Sequence, residues 1–402
     1  MKSNQQNYIF KFLYILFVFS CYLILLNTSY IYKVVNPVVV KNQVFLFADF
    51  SAIIAANFCE NNNINPFISN PCDILQRKHV YGSILLLLPT DKTSLMLYDY
   101  FPYVLIMIFL ITTVSFLEIK KENFLINTTA LLTPTTLLMI ERLNIDILIG
   151  IFFLILCLTR NRIFASIIIS FLSLIKIYPI IFIKYFFSKN SKLKYSLIFS
   201  VLNIILLATY IYYDFNNFKY LLINLEQFTS KGMYAFGLSS IPNFLKNYFK
   251  VNIVIGYLIV IAVFLVSCFL INKFFYKEKH FNINIDENIF KDRLFINSLF
   301  VIFVLYLIFP NIYYREIFFL YLIPFLQNNW KNNLYISYIK KILTLKFLLL
   351  ILILILADNF FYPRLYNLIL LKHTLDIFIM IFLSPIIFNY TKEFIFKKIY
   401  DK

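Results

Sequence analysis

Apolar runs recur along the whole chain, Ile253 to Ile271 and Phe347 to Ala357 among the purest. A helix needs about 20 mostly apolar residues to cross the hydrocarbon core. Helices are the natural spanning form, because lipid cannot satisfy open backbone groups. The runs do not alternate apolar with polar residues, as the strands of a transmembrane barrel would. Spans are predicted at about 8–26, 97–117, 124–140, 144–159, 194–213, 253–272, 294–309, 316–326, 342–357 and 374–390. Between the first two lies a mixed segment, 27–81, with Asp49, Glu60, Asp73, Arg77 and an Asn cluster, too polar for lipid. Within it, Ala48 to Phe58 reads as a short interfacial helix, and Gly82 to Pro89 as a re-entrant piece too short to span. The apolar stretch Ile163 to Phe187 is broken at Lys176-Ile177-Tyr178-Pro179, since proline cannot continue a helical ladder. Two half-helices meeting at a water-filled site are expected there. The prediction is an all-α polytopic membrane protein, one domain over 1–402, with roughly 10–12 transmembrane or re-entrant helices and a long first outer loop.

Composition agrees. Hydrophobic residues make up 61% of the 402 and charged ones only 14%, against about 25% charged in soluble domains. The formal charge of +17 would suggest nucleic acid in a soluble protein. Here the lysines flank hydrophobic runs, which is the pattern of anchoring at an anionic leaflet, so nucleic acid is not an expected partner. With the N-terminus inside, Lys120-Lys121, Arg160 and Arg162, Lys189 to Lys194, Lys273 to Arg293, Lys340-Lys341 and the tail Lys392 to Lys402 all sort to the cytoplasmic side. A multi-pass protein of the plasma (inner) membrane with both termini cytoplasmic is expected. The outer side then receives 27–81, the turn at 141–144, and the loops 214–252, 311–316 and 358–372. Nearly every unusual polar cluster lands there.

Several clusters are candidates for chemistry, each with a plainer reading beside it. Asp49, beside aromatics at an interface, is either a partly desolvated base or an ordinary loop aspartate. In Asn70-Pro71-Cys72-Asp73, Arg77 could grip phosphate or simply pair with Asp73. Cys59 and Cys72 share that loop and could form a disulfide in an oxidising compartment. Cys21, Cys157 and Cys268 fall in apolar runs and read as core. Glu141-Arg142-Leu143-Asn144-Ile145-Asp146 interrupts a continuous apolar region. It is a tight helical hairpin, but Arg142 and Asp146 exceed what a turn needs, and charges there are costly unless paired or functional. Lys176 either snorkels or, with Tyr178 at the helix break, holds an anion. Tyr313-Tyr314-Arg315-Glu316 offers two phenols, a guanidinium and a carboxylate between spans. Ser239, Ser240 and Asn243 are weaker and most often would cap a helix. No Walker A loop, GxGxxG or HExxH occurs. The histidines are scattered at 79, 280 and 373, so neither a metal nor a cofactor is expected.

The hexapeptide Glu141 to Asp146 resembles the E-R-G-N-I-D signature of the polyprenyl-phosphate-mannose-dependent branch of the glycosyltransferase-C superfamily (glycosyltransferase family eighty-seven). Thr159-Arg160-Asn161-Arg162 and Leu174-Ile175-Lys176-Ile177-Tyr178-Pro179 resemble that family's basic turn and L-K-x-Y-P element. Asn70-Pro71-Cys72-Asp73 with Arg77 resembles an N-P-C-D-x-x-x-R loop of bacterial members, and Tyr313-Tyr314-Arg315 a late Y-x-R element. The likeness covers roughly residues 40–330. It departs at Leu143, where the signature has glycine. It also lacks the Asp-x-Asp pair of some branches, so metal dependence is not expected.

The resemblance implies a membrane glycosyltransferase that moves a hexose, mannose by analogy, from a polyprenyl-phosphate donor to a lipid or cell-envelope glycan acceptor on the outer face, with inversion. Asp49 would be the catalytic base. Arg142, Lys176 and Arg315 would hold the donor phosphate, and Glu141, Asn144, Asp146, Tyr178, Asp73, Arg77, Tyr313 and Tyr314 would line the substrates. The rival class is a transporter or flippase for a lipid or anionic solute, with the same charges lining a pathway. Against it, no inverted repeat is visible. A purely structural membrane partner is the third reading, for which so many outer charges would be excessive.

Overall fold

The structure, a computed structural model, describes residues 2–27, 39–40, 43–44, 46–188, 191–229, 235–238, 241–242, 246, 250–276, 283, 285–308, 311–356 and 366–400. The protein is an all-α polytopic membrane protein. Fourteen α-helices run along the described residues: α1 Lys2–Asn27, α2 Ala48–Asn61, α3 Lys92–Phe116, α4 Lys121–Leu131, α5 Pro134–Arg142, α6 Asp146–Leu158, α7 Arg162–Ile175, α8 Leu193–Tyr213, α9 Phe215–Thr229, α10 Ile253–Tyr276, α11 Phe290–Ile308, α12 Ile323–Asn329, α13 Leu334–Leu356 and α14 Tyr366–Tyr400. Also among the described residues are three 3-10 helices (Ser83–Leu87, Tyr178–Phe186 and Tyr313–Leu322) and two antiparallel pairs of two-residue strands.

Among the described residues, five helices are long and apolar enough to cross a membrane: Asn7–Asn27, Lys92–Phe116, Leu193–Tyr213, Ile253–Phe274 and Leu371–Phe396. A sixth span results if α4 and α5, bent by 49° at their junction, count as one. Pro134 explains the bend, since it removes a ladder donor. Threonines take up the freed groups: Thr136 Oγ1 donates to the Ala130 carbonyl at 3.1 Å, and Thr133 Oγ1 to the same carbonyl at 3.2 Å. The expected span 144–159 is the short helix α6, and the stretch 163–187, expected as two half-helices, is α7 followed by the 3-10 helix Tyr178–Phe186. The expected span 316–326 is no regular helix: Pro324 opens the seven-residue α12, and the 3-10 helix precedes it. Helices α11 and α13 each carry three charged residues in their apolar stretch, Lys291, Asp292 and Arg293 in one, Lys340, Lys341 and Lys346 in the other.

The chain divides into two compact units. The first comprises Met1–Asn36, Leu110–Leu138 and Lys231–Lys402. Here Tyr22 donates to the Leu131 carbonyl at 2.8 Å, tying α1 to α4. Phe295 of α11 stacks on Phe325 of α12 with centroids 4.1 Å apart. At the centre of this unit lies a charge ring absent from the sequence expectations. Lys346 of α13 contacts Glu316 at 3.1 Å and Asp376 at 2.7 Å, and Lys372 contacts the same two at 3.2 and 2.8 Å. All four side chains are at most 2% exposed. Lys372 is therefore not in an outer loop ending at 372, as expected. With both acids neutralising it, helix α14 already runs from Tyr366; residues 357–365 of that expected loop lie outside the described ones.

The second unit comprises Pro37–Phe109 and Met139–Ser230. Asn203 of α8 sits against α7, donating to Ser166 Oγ at 2.7 Å and accepting from Ser170 Oγ at 2.8 Å. Helix α7 opens on Asn161, whose side chain accepts from the Ile163 and Phe164 amides, a regular N-cap. Helix α2 is held to the Ser83–Leu87 turn by Asn57 Nδ2, which donates to the Leu85 carbonyl at 2.8 Å. Gly82 donates its amide to the Ile175 carbonyl at 2.9 Å. A Cβ there would lie 1.7 Å from the Leu174 oxygen, so only glycine lets this loop reach the end of α7.

Candidate functional site

The candidate residues of the second unit converge where three chain reversals meet: the start of α2, the turn between α5 and α6, and the break after α7. Each reversal has a local cause. Phe47 precedes α2 in the left-handed region, φ 58°, and its amide donates to the Glu141 carbonyl at 2.7 Å. Leu143, between α5 and α6, has φ 45°. Left-handed backbone costs an ordinary L-residue roughly 1–2 kcal/mol, which is why glycine is favoured there. Leucine thus occupies a left-handed position that glycine would take without strain. Buried Leu143 is 3% exposed, and burial offsets the strain. After α7, Lys176 takes extended dihedrals and Pro179 opens the 3-10 helix.

Asp49 lies in the first turn of α2, where the helix dipole favours a carboxylate. Its Oδ1 faces Arg77 Nη1 at 3.3 Å and Arg142 Nη1 at 3.8 Å. Its Oδ2 accepts from Asn144 Nδ2 at 2.7 Å. Arg77 is held from behind by Asp73 in a two-pronged pair, 2.9 and 3.1 Å, and donates to the Ala48 carbonyl at 2.6 Å. Asp73 therefore anchors the guanidinium. Arg142 Nε is 3.3 Å from Glu141 Oε2.

The second half of the network hangs from Asn144. Its Oδ1 accepts from Lys176 Nζ at 3.1 Å and from the Asp146 amide at 3.1 Å. Asp146 Oδ1 accepts from Lys176 Nζ at 2.9 Å and from the Tyr178 hydroxyl at 2.8 Å. The Lys176 ammonium also lies 5.3 Å from the centre of the Tyr81 ring, a cation–π contact. Tyr81, which the resemblance did not assign, packs with Ile53, Leu85 and Ile175 beneath the site.

Exposure sorts these groups. Asp73, Glu141 and Asp146 have side chains at most 2% exposed, whereas Asp49, Arg77, Arg142 and Lys176 are 14–20% exposed. Solvent thus meets Arg77 and Arg142 around Asp49, with Lys176 joined to them through Asn144, while the balancing acids lie beneath. The loop carrying Asp73 and Arg77 is closed by a disulfide between Cys59 and Cys72, with Cα atoms 5.8 Å apart. Beside it, a groove of about 530 Å³ is lined by Phe50, Ile54, Phe58, Leu95, Met96 and Tyr98 together with the charged Asp73, Lys92 and Asp99.

Arg315 belongs to the other unit, on the Tyr313–Leu322 helix. The side chains of Tyr313 and Tyr314, together with Ser239, Ser240 and Asn243, lie outside the described residues. No group of three or more His, Cys, Asp or Glu is placed to hold a metal among the described residues. Set against family models, curated proteins and solved structures, the chain matches none.

Proposed function

We propose that this protein is a membrane glycosyltransferase that moves a hexose from a polyprenyl-phosphate donor to a lipid or cell-envelope glycan acceptor. The observation that carries this reading is the accessible pair Arg77 and Arg142 around Asp49, linked through Asn144 to Lys176, cationic toward solvent and backed by buried acids. Guanidinium and ammonium groups of this kind hold phosphate by charge-assisted hydrogen bonds. The Asn144 amide fixes one carboxylate oxygen of Asp49, leaving Oδ1, with its long cation contacts, to meet an acceptor hydroxyl. Two left-handed non-glycine residues, Phe47 and Leu143, flank the cluster, and strain of this kind concentrates at functional sites.

In the proposed reaction, Asp49 takes the proton of the acceptor hydroxyl as that oxygen bonds to the anomeric carbon. The bond from that carbon to the phosphate oxygen breaks, and polyprenyl phosphate leaves with the electron pair. The cations stabilise the charge that develops on it. Attack opposite the leaving group inverts the anomeric centre. The aromatic and aliphatic side chains of the groove, Phe50, Ile54, Phe58 and Leu95, offer room for the first isoprene units. The site faces the outer side in this proposal, with a mannose-type sugar.

Purified protein given polyprenyl-phosphate hexose labelled in the sugar tests the reading. Loss of the labelled sugar from the lipid, dependent on an added envelope-lipid acceptor, is expected. Movement of intact labelled lipid between leaflets without cleavage would replace it with the transporter reading.

A further inference from the structure

In the first unit, a polar pocket of about 300 Å³ lies where α1 begins, α3 ends and α11 starts. Three lysines from three separate segments line it: Lys11, Lys120 and Lys291. The single acid among them is Glu118, so the pocket carries two positive charges more than negative.

The pocket is built rather than incidental. The segment carrying Glu118 and Lys120 is pinned from behind. The Glu118 amide donates to Gln327 Oε1 at 2.9 Å, and its carbonyl accepts from Asn127 Nδ2 at 2.9 Å. Gln327 Nε2 in turn donates to Asn127 Oδ1 at 2.6 Å, in the buried interior. Lys11 reaches the Ser115 carbonyl at 2.5 Å. Lys291 bridges Asn328 Oδ1 at 2.9 Å and Glu118 at 3.5 Å, and Lys120 meets Glu118 at 3.3 Å. One carboxylate is shared by two lysines, with a third beside them.

The depth suits a headgroup. Helices α1 and α3 are both candidate spans, and the pocket lies at the start of one and the end of the other. Next to Lys11, Tyr8, Phe12 and Leu16 are exposed at helical spacing on α1, an apolar stripe leading away from the pocket. We propose that this pocket binds a phosphate group, that of an anionic membrane lipid whose chains lie along the α1 stripe. Lys11 and Lys291 grip the phosphate oxygens, and Glu118 holds the lysines apart. The proposal is independent of sugar transfer, which uses residues of the other unit.

The test is native mass spectrometry of the full chain from mixed micelles of phosphatidylglycerol and phosphatidylcholine. Retention of one phosphatidylglycerol in preference to phosphatidylcholine is expected. Lys11→Gln with Lys291→Gln should lower retention on the order of tenfold or more, each lysine near an anionic headgroup contributing several-fold. Lys11→Arg with Lys291→Arg should retain the lipid, showing that the neutral pair had not merely failed to fold. Lys273→Gln with Lys392→Gln removes the same charge elsewhere and should leave retention unchanged. Equal losses from the two neutral pairs would mean diffuse attraction and overturn the pocket, as would equal retention of both lipids. Displacement of the lipid by millimolar inorganic phosphate would show that phosphate alone suffices. Resistance to it would show that the lipid chains contribute.

Discussion

Asn144 donates from Nδ2 to Asp49 at 2.7 Å while its Oδ1 accepts from Lys176 at 3.1 Å. One amide thereby sets the spacing between the carboxylate and the cation of the proposed site. The arrangement assigns Asp49 and Asp73 different work, although both touch Arg77. Asp73 is buried and anchors the guanidinium from behind; Asp49 reaches solvent. Asp49→Asn keeps the shape and removes the base. It should leave donor binding in place and lower sugar transfer by about 10²–10⁴. Transfer and donor binding measured separately check this, and near-normal transfer in Asp49→Asn with a dead Asp73→Asn would move the base to Asp73.

Arg142 and Lys176 approach the site from different reversals of the chain. Losing a charge-assisted hydrogen bond costs about 1.5–3 kcal/mol, ten- to a hundredfold in Kd. Arg142→Ala and Lys176→Ala should each weaken binding of the lipid-phosphate donor by that factor. Titration of the purified variants with a non-transferable donor analogue provides the measurement. Unchanged affinity in both would sink the phosphate assignment.

The ring of Glu316, Lys346, Lys372 and Asp376 predicts a particular non-additivity. Removing one member leaves an uncompensated buried charge, typically costing about 3–5 kcal/mol. Lys372→Met should therefore lower the thermal midpoint in detergent steeply. Lys372→Met combined with Asp376→Leu leaves the balanced pair Lys346 and Glu316 and should recover much of the loss. If the double variant is as unstable as the two single losses added, the four groups do not act as a ring.

Stability should also fall in acid through His79, in the loop between α2 and the first 3-10 helix. Burial holds this imidazole down to about 4 from its ordinary 6.5, against a backbone hydrogen bond with Gly82 that acts the other way. The unfolded chain therefore binds the proton first. As pH falls from 6.5 towards 4, unfolding takes up a proton that folding excludes. Stability drops by on the order of 3 kcal/mol. Thermal midpoints at several pH values should show this slope in the wild type and a flatter one in His79→Phe. Parallel slopes would mean other groups carry the acid sensitivity.

The sequence by itself determined the class of molecule and some of the places where its backbone breaks, though not the bend at Pro134 inside the expected span 124–140. Runs such as Ile253 to Ile271 have no solution but a helix in lipid, and such a reading depends on neighbours within a turn or two. Pro179 and the polar hexapeptide at 141–146 marked their reversals for the same local reason, and helix α2 was visible at Ala48. The pairing of Asp73 with Arg77 was also within reach, being four residues apart. Contacts between distant segments were not legible. Nothing local to Asp49 says that Asn144 will meet it, because 95 residues separate them and only packing of three reversals closes that gap. The same holds for Lys346 and Lys372. Lys346 falls inside the expected span 342–357, and Lys372 at the end of the expected loop 358–372. Whether such a lysine is tolerable depends on a carboxylate from another segment, and Glu316 and Asp376 reach it only when the helices pack. Lysine or aspartate alone is expelled by a low-dielectric interior; the neutral ring is not. Local pattern fixed most of the helical segments, though not α9 inside the expected loop 214–252, and tertiary packing decided which charges those helices could bury.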